Sequence, residues 1–407
     1  MDISVMAVRQ HVANESIGDP AAAVAEGLRA LPLAVGRGER IAVAVGSRGI
    51  SCLGAVVQTV VETLLAQGAR PFLVPAMGSH GGGTAEGQRA VLEGYGLGVD
   101  VLKAPIISDM GTVQIGETDA GMPVFFDRQA AQADGIIAIN RIKEHTAFKG
   151  RWESGLMKIL AVGLGKEAGA RTIHNWGVRE AMPAAARVVI EKMPLLAGIG
   201  IVEDGYHQPA RIAVLPPQRI EDEEEALLAL ARSLTPKIPI EPLHLLVVKE
   251  MGKDISGTGM DLNVIGMWRR LGGPVEPDLG TIAVLDLTAQ SQGNAIGVGH
   301  ADLITQRLLD KVDQQATVTN CLTSHNFAGG KIPITLASDR EAIAAGLAGV
   351  DRAEARVVLI RNTLELETLW VSAALAPEVE ANPELEAIGA LRPLSFDGAG
   401  NLDWSGL

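Results

Sequence analysis

Two cysteines, Cys52 and Cys321, are all that 407 residues contain. So few exclude a disulfide framework, and their separation argues against a shared zinc site, so a reduced, cytoplasmic setting is expected. Positive charge is scarce as well. The 35 Lys and Arg stand against 48 Asp and Glu, a formal net charge of −13, which removes the basis for general nucleic-acid binding but leaves room for one basic pocket around an anion. No run reaches the roughly 18 apolar residues of a membrane span, and the opening MDISVMAVRQHV lacks the basic and apolar regions of a signal peptide. Neither solenoid repeats nor low-complexity tracts occur. The expected partner is therefore a small molecule, with no membrane and no nucleic acid involved.

What is present is apolar: 47% of residues are hydrophobic and 20% charged, a balance that favours ordered, well-buried structure, and the length favours two domains. From Arg40 the chain reads strand (IAVAV), glycine turn (Gly46-Ser47-Arg48-Gly49), helix (Leu53 to Gln67). The unit repeats as strand Pro71-FLVPA, turn Met77-GSHGGGT and helix from Ala85, with Thr84 as its cap and Gln88 near capping-box distance. Short strands are expected at Val99 to Leu102, Thr112 to Ile115 and Met122 to Phe126, then a buried strand, Gly135 to Ile139. An acidic helix from Arg219, IEDEEEALLALARSL, reads as a solvated face without a site. The proline-rich Thr235-PKIPIEP reads as a linker. Beyond it, strand Leu243 to Val248, turn Met251-GKDISGTGMD, strand Thr281 to Leu287, helix Asp302 to Val312 and strand Thr317 to Cys321 are expected. The predicted fold is α/β: two domains, 1–235 and 243–407, with largely parallel sheets and a ligand cleft between them, the closing strands free to return to the first domain.

Chemistry is sought at turns that follow strand C-termini, where open α/β sheets bind ligands. Arg48 at a helix start is unfavourable unless it serves an anion. Ser79, His80, Gly81, Gly82, Gly83 and Thr84 combine an imidazole with glycines whose amides can face a phosphate, though no Walker A lysine follows. Between Asn140 and Trp176, His145, Lys158 and His174 stand among Leu156, Met157, Ile159 and Leu160. They match no zinc signature, but they suggest a buried amine with two imidazoles at hand, and a buried lysine has a lowered pKa and can act as nucleophile or covalent cofactor anchor. Lys253, Asp254 and Asp261 lie in a further glycine-spaced loop. Cys321 is expected to pack, and His300 to cap or pack.

Together these pieces resemble the nickel-pincer-dependent lactate racemase family of hydroxyacid racemases and epimerases. The resemblance rests on Ser47-Arg48, Gly78-Ser79-His80, Lys143-Glu144-His145 followed by Gly155 to Lys158, and Thr172-Ile173-His174, and it covers mainly residues 40–176. It implies a nickel-pincer nucleotide (pyridinium-3-thioamide-5-thiocarboxylic acid mononucleotide with Ni) joined to Lys158 through a thioamide, with His174 on the nickel and the Ser79 to Thr84 turn at the cofactor. By the same resemblance His80 and His145 form the acid/base pair, Arg48 and Lys253 hold the substrate carboxylate, and cofactor-biosynthesis enzymes are required for activity. The implied reaction moves a hydride from a 2-hydroxy acid to the cofactor and back through a 2-keto acid. Gly155-Leu156-Met157-Lys158 replaces the family's Gly-Gly-Arg-Lys, which suggests a substrate other than lactate. Two other readings use the same residues: a lyase or dehydratase with Lys158 as base, and a non-catalytic binding protein for a phosphorylated pyridine cofactor.

Overall fold

The runs of β-branched and small apolar residues after Arg40, Arg70 and Asp134 become neighbouring strands of one sheet. The computed structural model describes residues 3–46 and 49–407, and the chain divides into two compact units. The N-terminal unit comprises Ala13–His145 and Lys149–Thr235; the C-terminal unit comprises the residues up to Val12, Thr146–Phe148 and Pro236–Leu407. The first strand, β1 (Ser4–Gln10), belongs to the C-terminal unit. No helix among the described residues is long and apolar enough to cross a membrane.

The strands of the N-terminal unit are β2 (Arg40–Val45), β3 (Arg70–Pro75), β4 (Thr112–Glu117), β5 (Pro123–Asp127), β6 (Gly135–Arg141), β7 (Leu195–Glu203) and β8 (Pro209–Leu215). Its five-stranded sheet has the order β3-β2-β6-β7-β8, parallel except for β8, while β4 and β5 form a separate antiparallel pair. Period-two alternation sends Ile41, Val43, Val45, Ile137 and Ile139 to one face, under the helices Pro20–Ala30 and Leu53–Ala66. Ala42, Ala44, Ile136 and Ala138 face the other side, where Leu156, Met157, Ile159 and Leu160 pack. Small residues on that face let the covering segment approach: a Cβ at Gly198 would come within 2.9 Å of Leu156. Each buried Val, Ile or Leu contributes roughly 1.5–3 kcal/mol. From β2 the chain winds first to β3 and later to β6 on the opposite side, so the sheet has its topological switch point between β2 and β6.

The C-terminal unit adds β9 (Leu245–Val248), β10 (Thr281–Val284), β11 (Leu303–Thr305), β12 (Ile334–Leu336), β13 (Val357–Ile360), β14 (Thr368–Ser372), β15 (Leu385–Ala387) and β16 (Arg392–Pro393). They form a sheet in the order β12-β11-β10-β9-β13-β14-β1-β15, with β16 also on β1. Strands β12 to β13 are parallel, and β14, β1 and β15 continue antiparallel.

Three local expectations are corrected. Thr317 to Cys321 is helix, within Gln314–Thr323, because Asp313 Oδ1 caps Ala316 N at 2.9 Å and Thr317 and Cys321 are buried one turn apart. The helix expected from Asp302 begins only at Gln306: Leu303–Thr305 pairs with β10 and β12, and Thr305 Oγ1 caps Leu308 N. Val99–Leu102 is a short helix rather than a strand, with Val101 N and Leu102 N both donating to Gly98 O.

Candidate active site

The C-terminal ends of β2, β3 and β6, which flank the switch point, carry most of the residues singled out in the sequence. Ser47 and Arg48 fall outside the described residues; the residues that flank them are described. Gly46 N donates to Ile139 O at 3.1 Å, and a Cβ at Gly46 would lie 2.3 Å from Asn140 Oδ1. Arg141 donates to Gly49 O at 2.8 Å and pairs with the buried Glu203, which also accepts from Ser51 N and Oγ at 2.7 and 3.1 Å. Burial, and then the Glu203 carboxylate, push the Cys52 thiol up to about 11, so it stays protonated.

After β3 the chain makes a tight turn in which Gly81, Gly82 and Gly83 all take left-handed φ values of 62°, 70° and 67°. His80 N donates to Met77 O at 3.0 Å and Gly83 N to His80 O at 3.2 Å, leaving Ser79 and His80 exposed. Thr84 Oγ1 caps the helix Ala85–Gly94 by accepting from Gly87 N. Gln88 does not join that cap. It is fully buried and turns back to donate to Gly78 O at 2.7 Å and His80 O at 3.2 Å.

After β6 the chain folds back on itself, Lys143 pairing with Ser154. The loop between them closes on the buried carboxylate of Glu153, which accepts from His145 N at 2.6 Å, Gly150 N at 3.1 Å and Arg232 Nη2 at 2.7 Å. Three charge-assisted bonds on one desolvated carboxylate hold the backbone at half-buried His145 in place.

Lys158 ends the short helix Leu156–Lys158, and its N-terminal amides meet a second buried carboxylate, Glu224, whose Oε2 accepts from Met157 N at 2.8 Å. Asn140 Nδ2 donates to Gly155 O at 2.8 Å, so the segment is fixed from β6 as well. A wide π turn, Ile159–Gly163, follows, a geometry frequent at functional sites. The next helix, Lys166–Trp176, carries exposed His174 in its last turn. Lys158 is half-buried, and its Nζ has no hydrogen-bond or ion-pair partner among the described residues. The packing around it, and then the Lys143 ammonium, bring its pKa down to about 8.

The glycine turn and the Lys158–His174 segment meet: Gly78 N donates to Gly163 O at 3.1 Å, and Cβ atoms at Gly78 and Gly83 would fall within 4 Å of Ala170 and Glu167. The structure thus brings the backbones at His80, Lys158 and His174 into one packed region at the strand ends, with Lys143 next to Lys158. Lys253 lies in the C-terminal unit, in the loop after β9, with Nζ donating to Gly257 O at 2.9 Å. In the same loop Asp254 accepts from Thr288 Oγ1 at 2.5 Å and Ser291 Oγ accepts from Lys253 N at 2.8 Å. Cys321 is buried, with burial pushing its thiol up, and His300 packs with its pKa drawn down to about 4 by burial and then by Arg270. Among the described residues no group of three or more His, Cys, Asp and Glu is arranged to hold a metal.

Residues 11–184 match the family model of the lactate racemase N-terminal domain. That segment is similar to the lactate racemase family. The solved structure of the lactate racemase apoprotein from Thermoanaerobacterium thermosaccharolyticum superposes with a TM-score of 0.54 at 12% sequence identity, covering 89% of this chain and 99% of that chain, a likeness of fold. No curated protein sequence matches.

Two supports of this site have roles that the sequence does not assign. Glu224 sits on the helix taken for a solvated face, yet it falls in line with buried Ile220, Leu227, Leu228 and Ala231. That spacing was its signal. Glu153 is visible in the sequence only as one of the charges set among apolar residues between Asn140 and Trp176, and only the folded loop brings His145, Gly150 and Arg232 to it.

Proposed function

We propose that the protein is a racemase or epimerase of a 2-hydroxy acid that works with a nickel-pincer nucleotide joined to Lys158. The observation that carries this reading is the state of Lys158 inside a segment similar to the lactate racemase N-terminal domain: a half-buried amine, unpartnered among the described residues, with a pKa of about 8. At pH 7.5 about a quarter of such amines are neutral, against about a thousandth at the ordinary lysine value. Only the neutral amine can form the covalent anchor. The residues present fit the group: Lys158 would anchor it, His174 would serve as a nickel ligand, and the Ser79 to Thr84 turn would serve its nucleotide, with the Gly81 and Gly82 amides available to a phosphate while Gly83 N is spent on His80 O. When bound, the cofactor would supply the hydride-accepting centre.

The chain's own residues would do the rest. His80 and His145 hold and return the hydroxyl proton, one for each stereoisomer, a task suited to imidazole near neutral pH. Arg48 holds the substrate carboxylate, with Lys253 as a second contact. The departure from the family's Gly-Gly-Arg-Lys step and the Lys253 loop favour a hydroxy acid larger or more polar than lactate, while Leu156 and Met157, fully buried in the core, act only by placing Lys158. Dedicated cofactor-biosynthesis enzymes and a cytoplasmic setting complete the reading.

Intact-protein mass spectrometry with nickel analysis tests it, on protein produced alongside the cofactor-making enzymes, wild type against Lys158→Ala. An adduct localised to Lys158 with stoichiometric nickel, both lost in the variant, is expected, and a screen of 2-hydroxy acids should then show inversion without net chemical change. Absence of adduct and nickel overturns the cofactor assignment, and net elimination would replace the racemase by a lyase.

A further inference from the structure

One buried amine stands apart from Lys158. Lys166 has no exposed surface, opens the helix that carries His174, and does so at φ 52°, a left-handed conformation that a lysine rarely adopts. Its Nζ reaches three acceptors from three different elements: Pro75 O at the end of β3 at 2.5 Å, Asp127 Oδ2 at the end of β5 at 3.1 Å, and Gln88 Oε1 at 3.2 Å. Two of these contacts are hydrogen bonds and the one to Asp127 is an ion pair, so a charge and two oriented carbonyl dipoles hold the amine. Asp127 is itself fixed, its Oδ1 accepting from Gln129 N and Ala130 N, both at 2.8 Å. Gln88 passes the arrangement on, its amide nitrogen donating to Gly78 O and His80 O on either side of Ser79.

Burying an ammonium and a carboxylate is costly, and a hydrophobic pair of the same volume would often serve stability as well or better. What an apolar pair lacks is direction. We infer that Asp127, Lys166 and Gln88 form a positioning tie that fixes the His80 turn against the start of the helix bearing His174. The inference rests on the roles given above to those two histidines. The three are positioning residues, since they act through the turn and the helix.

Amide hydrogen exchange on cofactor-free protein tests the tie independently of nickel loading. Gln88→Met removes both the donor and the acceptor. Gln88→Glu keeps an acceptor for Lys166 and loses the donor to Gly78 O and His80 O. Both variants should fold, and both should exchange the Met77–Thr84 segment at least about tenfold faster than wild type, with the strand Arg70–Pro75 unchanged. Lys166→Met combined with Asp127→Asn should loosen the same segment and also the first turn of Lys166–Trp176. Should this paired variant not fold, the Gln88 pair decides. In loaded protein both Gln88 variants should carry the Lys158 adduct at wild-type yield, with kcat down about tenfold and KM little changed. Exchange at Met77–Thr84 equal to wild type in both Gln88 variants overturns the tie, as does wild-type behaviour of Gln88→Glu alone, which would make Gln88 a mere acceptor for Lys166. Failure to find the adduct in wild type overturns the cofactor reading and leaves the exchange result standing.

Discussion

Glu224 supplies the sharpest quantitative test. It is 1% exposed, its Oε2 accepts from Met157 N, and its Oε1 has no hydrogen-bond partner among the described residues. Burial lifts its carboxyl from 4.5 to about 7, opposed by the amide hydrogen bonds of Met157 and Leu156. Between those values the folded chain keeps a proton that the unfolded chain has released, so this contribution to stability is complete below 4.5 and is lost as pH rises through 7. At about 1.4 kcal/mol per pH unit, the window amounts to about 3 kcal/mol. Glu224→Gln is uncharged throughout and keeps an oxygen for Met157 N. The stability difference, variant minus wild type, should therefore move in favour of the variant by about 3 kcal/mol from pH 4.5 to pH 8, the other titrating groups cancelling. Urea unfolding across this range can be followed in a background that retains Trp152 as sole tryptophan, because its indole donates to Glu221 O at 2.7 Å, one turn before Glu224. A difference that stays level within about 0.5 kcal/mol would show that the Glu224 carboxyl is not held in the desolvated state described here.

Lys158 should react with an acylating reagent along a pH profile whose midpoint lies near 8, measured by peptide mapping on cofactor-free protein. Lys143→Met should raise that midpoint by removing a like charge, and a wild-type midpoint at the ordinary 10.5 would refute the assignment. The glycine turn separates strain from space. Gly82→Ala meets nothing within 4 Å and should lose only the left-handed penalty, about 1–2 kcal/mol. Gly81→Ala places its Cβ 2.6 Å from the Gly87 carbonyl carbon and should cost about 3 kcal/mol or more, so equal losses in thermal unfolding would contradict the packing.

Much of the site was legible in the sequence because its backbone signals are local. A run such as Ile41 to Val45 ending at Gly46, or Phe72 to Ala76 ending before three glycines, states its strand and its turn within a dozen residues, and parallel sheets place such turns where ligands bind. The sixteen-residue step from Lys158 to His174 is a helix-and-turn distance, also local. Elsewhere the pattern misled. Thr317 to Cys321 reads as β-branched, but a cap at Asp313 and burial at helical spacing made it helix. The membership of β1 depended on pairing with Thr368–Ser372 at the far end of the chain, which no window of sequence contains.

The sequence by itself therefore determined the α/β pattern, the turns and which side chains are candidates for chemistry, since propensity, periodicity and glycine backbone freedom act over neighbouring residues. Only the tertiary structure decided their electrostatics. Whether Lys158 is an ordinary lysine or one with a pKa of about 8, and whether Lys166 meets Asp127 and Gln88, depends on desolvation and on partners brought from distant elements. Both are properties of the packed core and have no local signature.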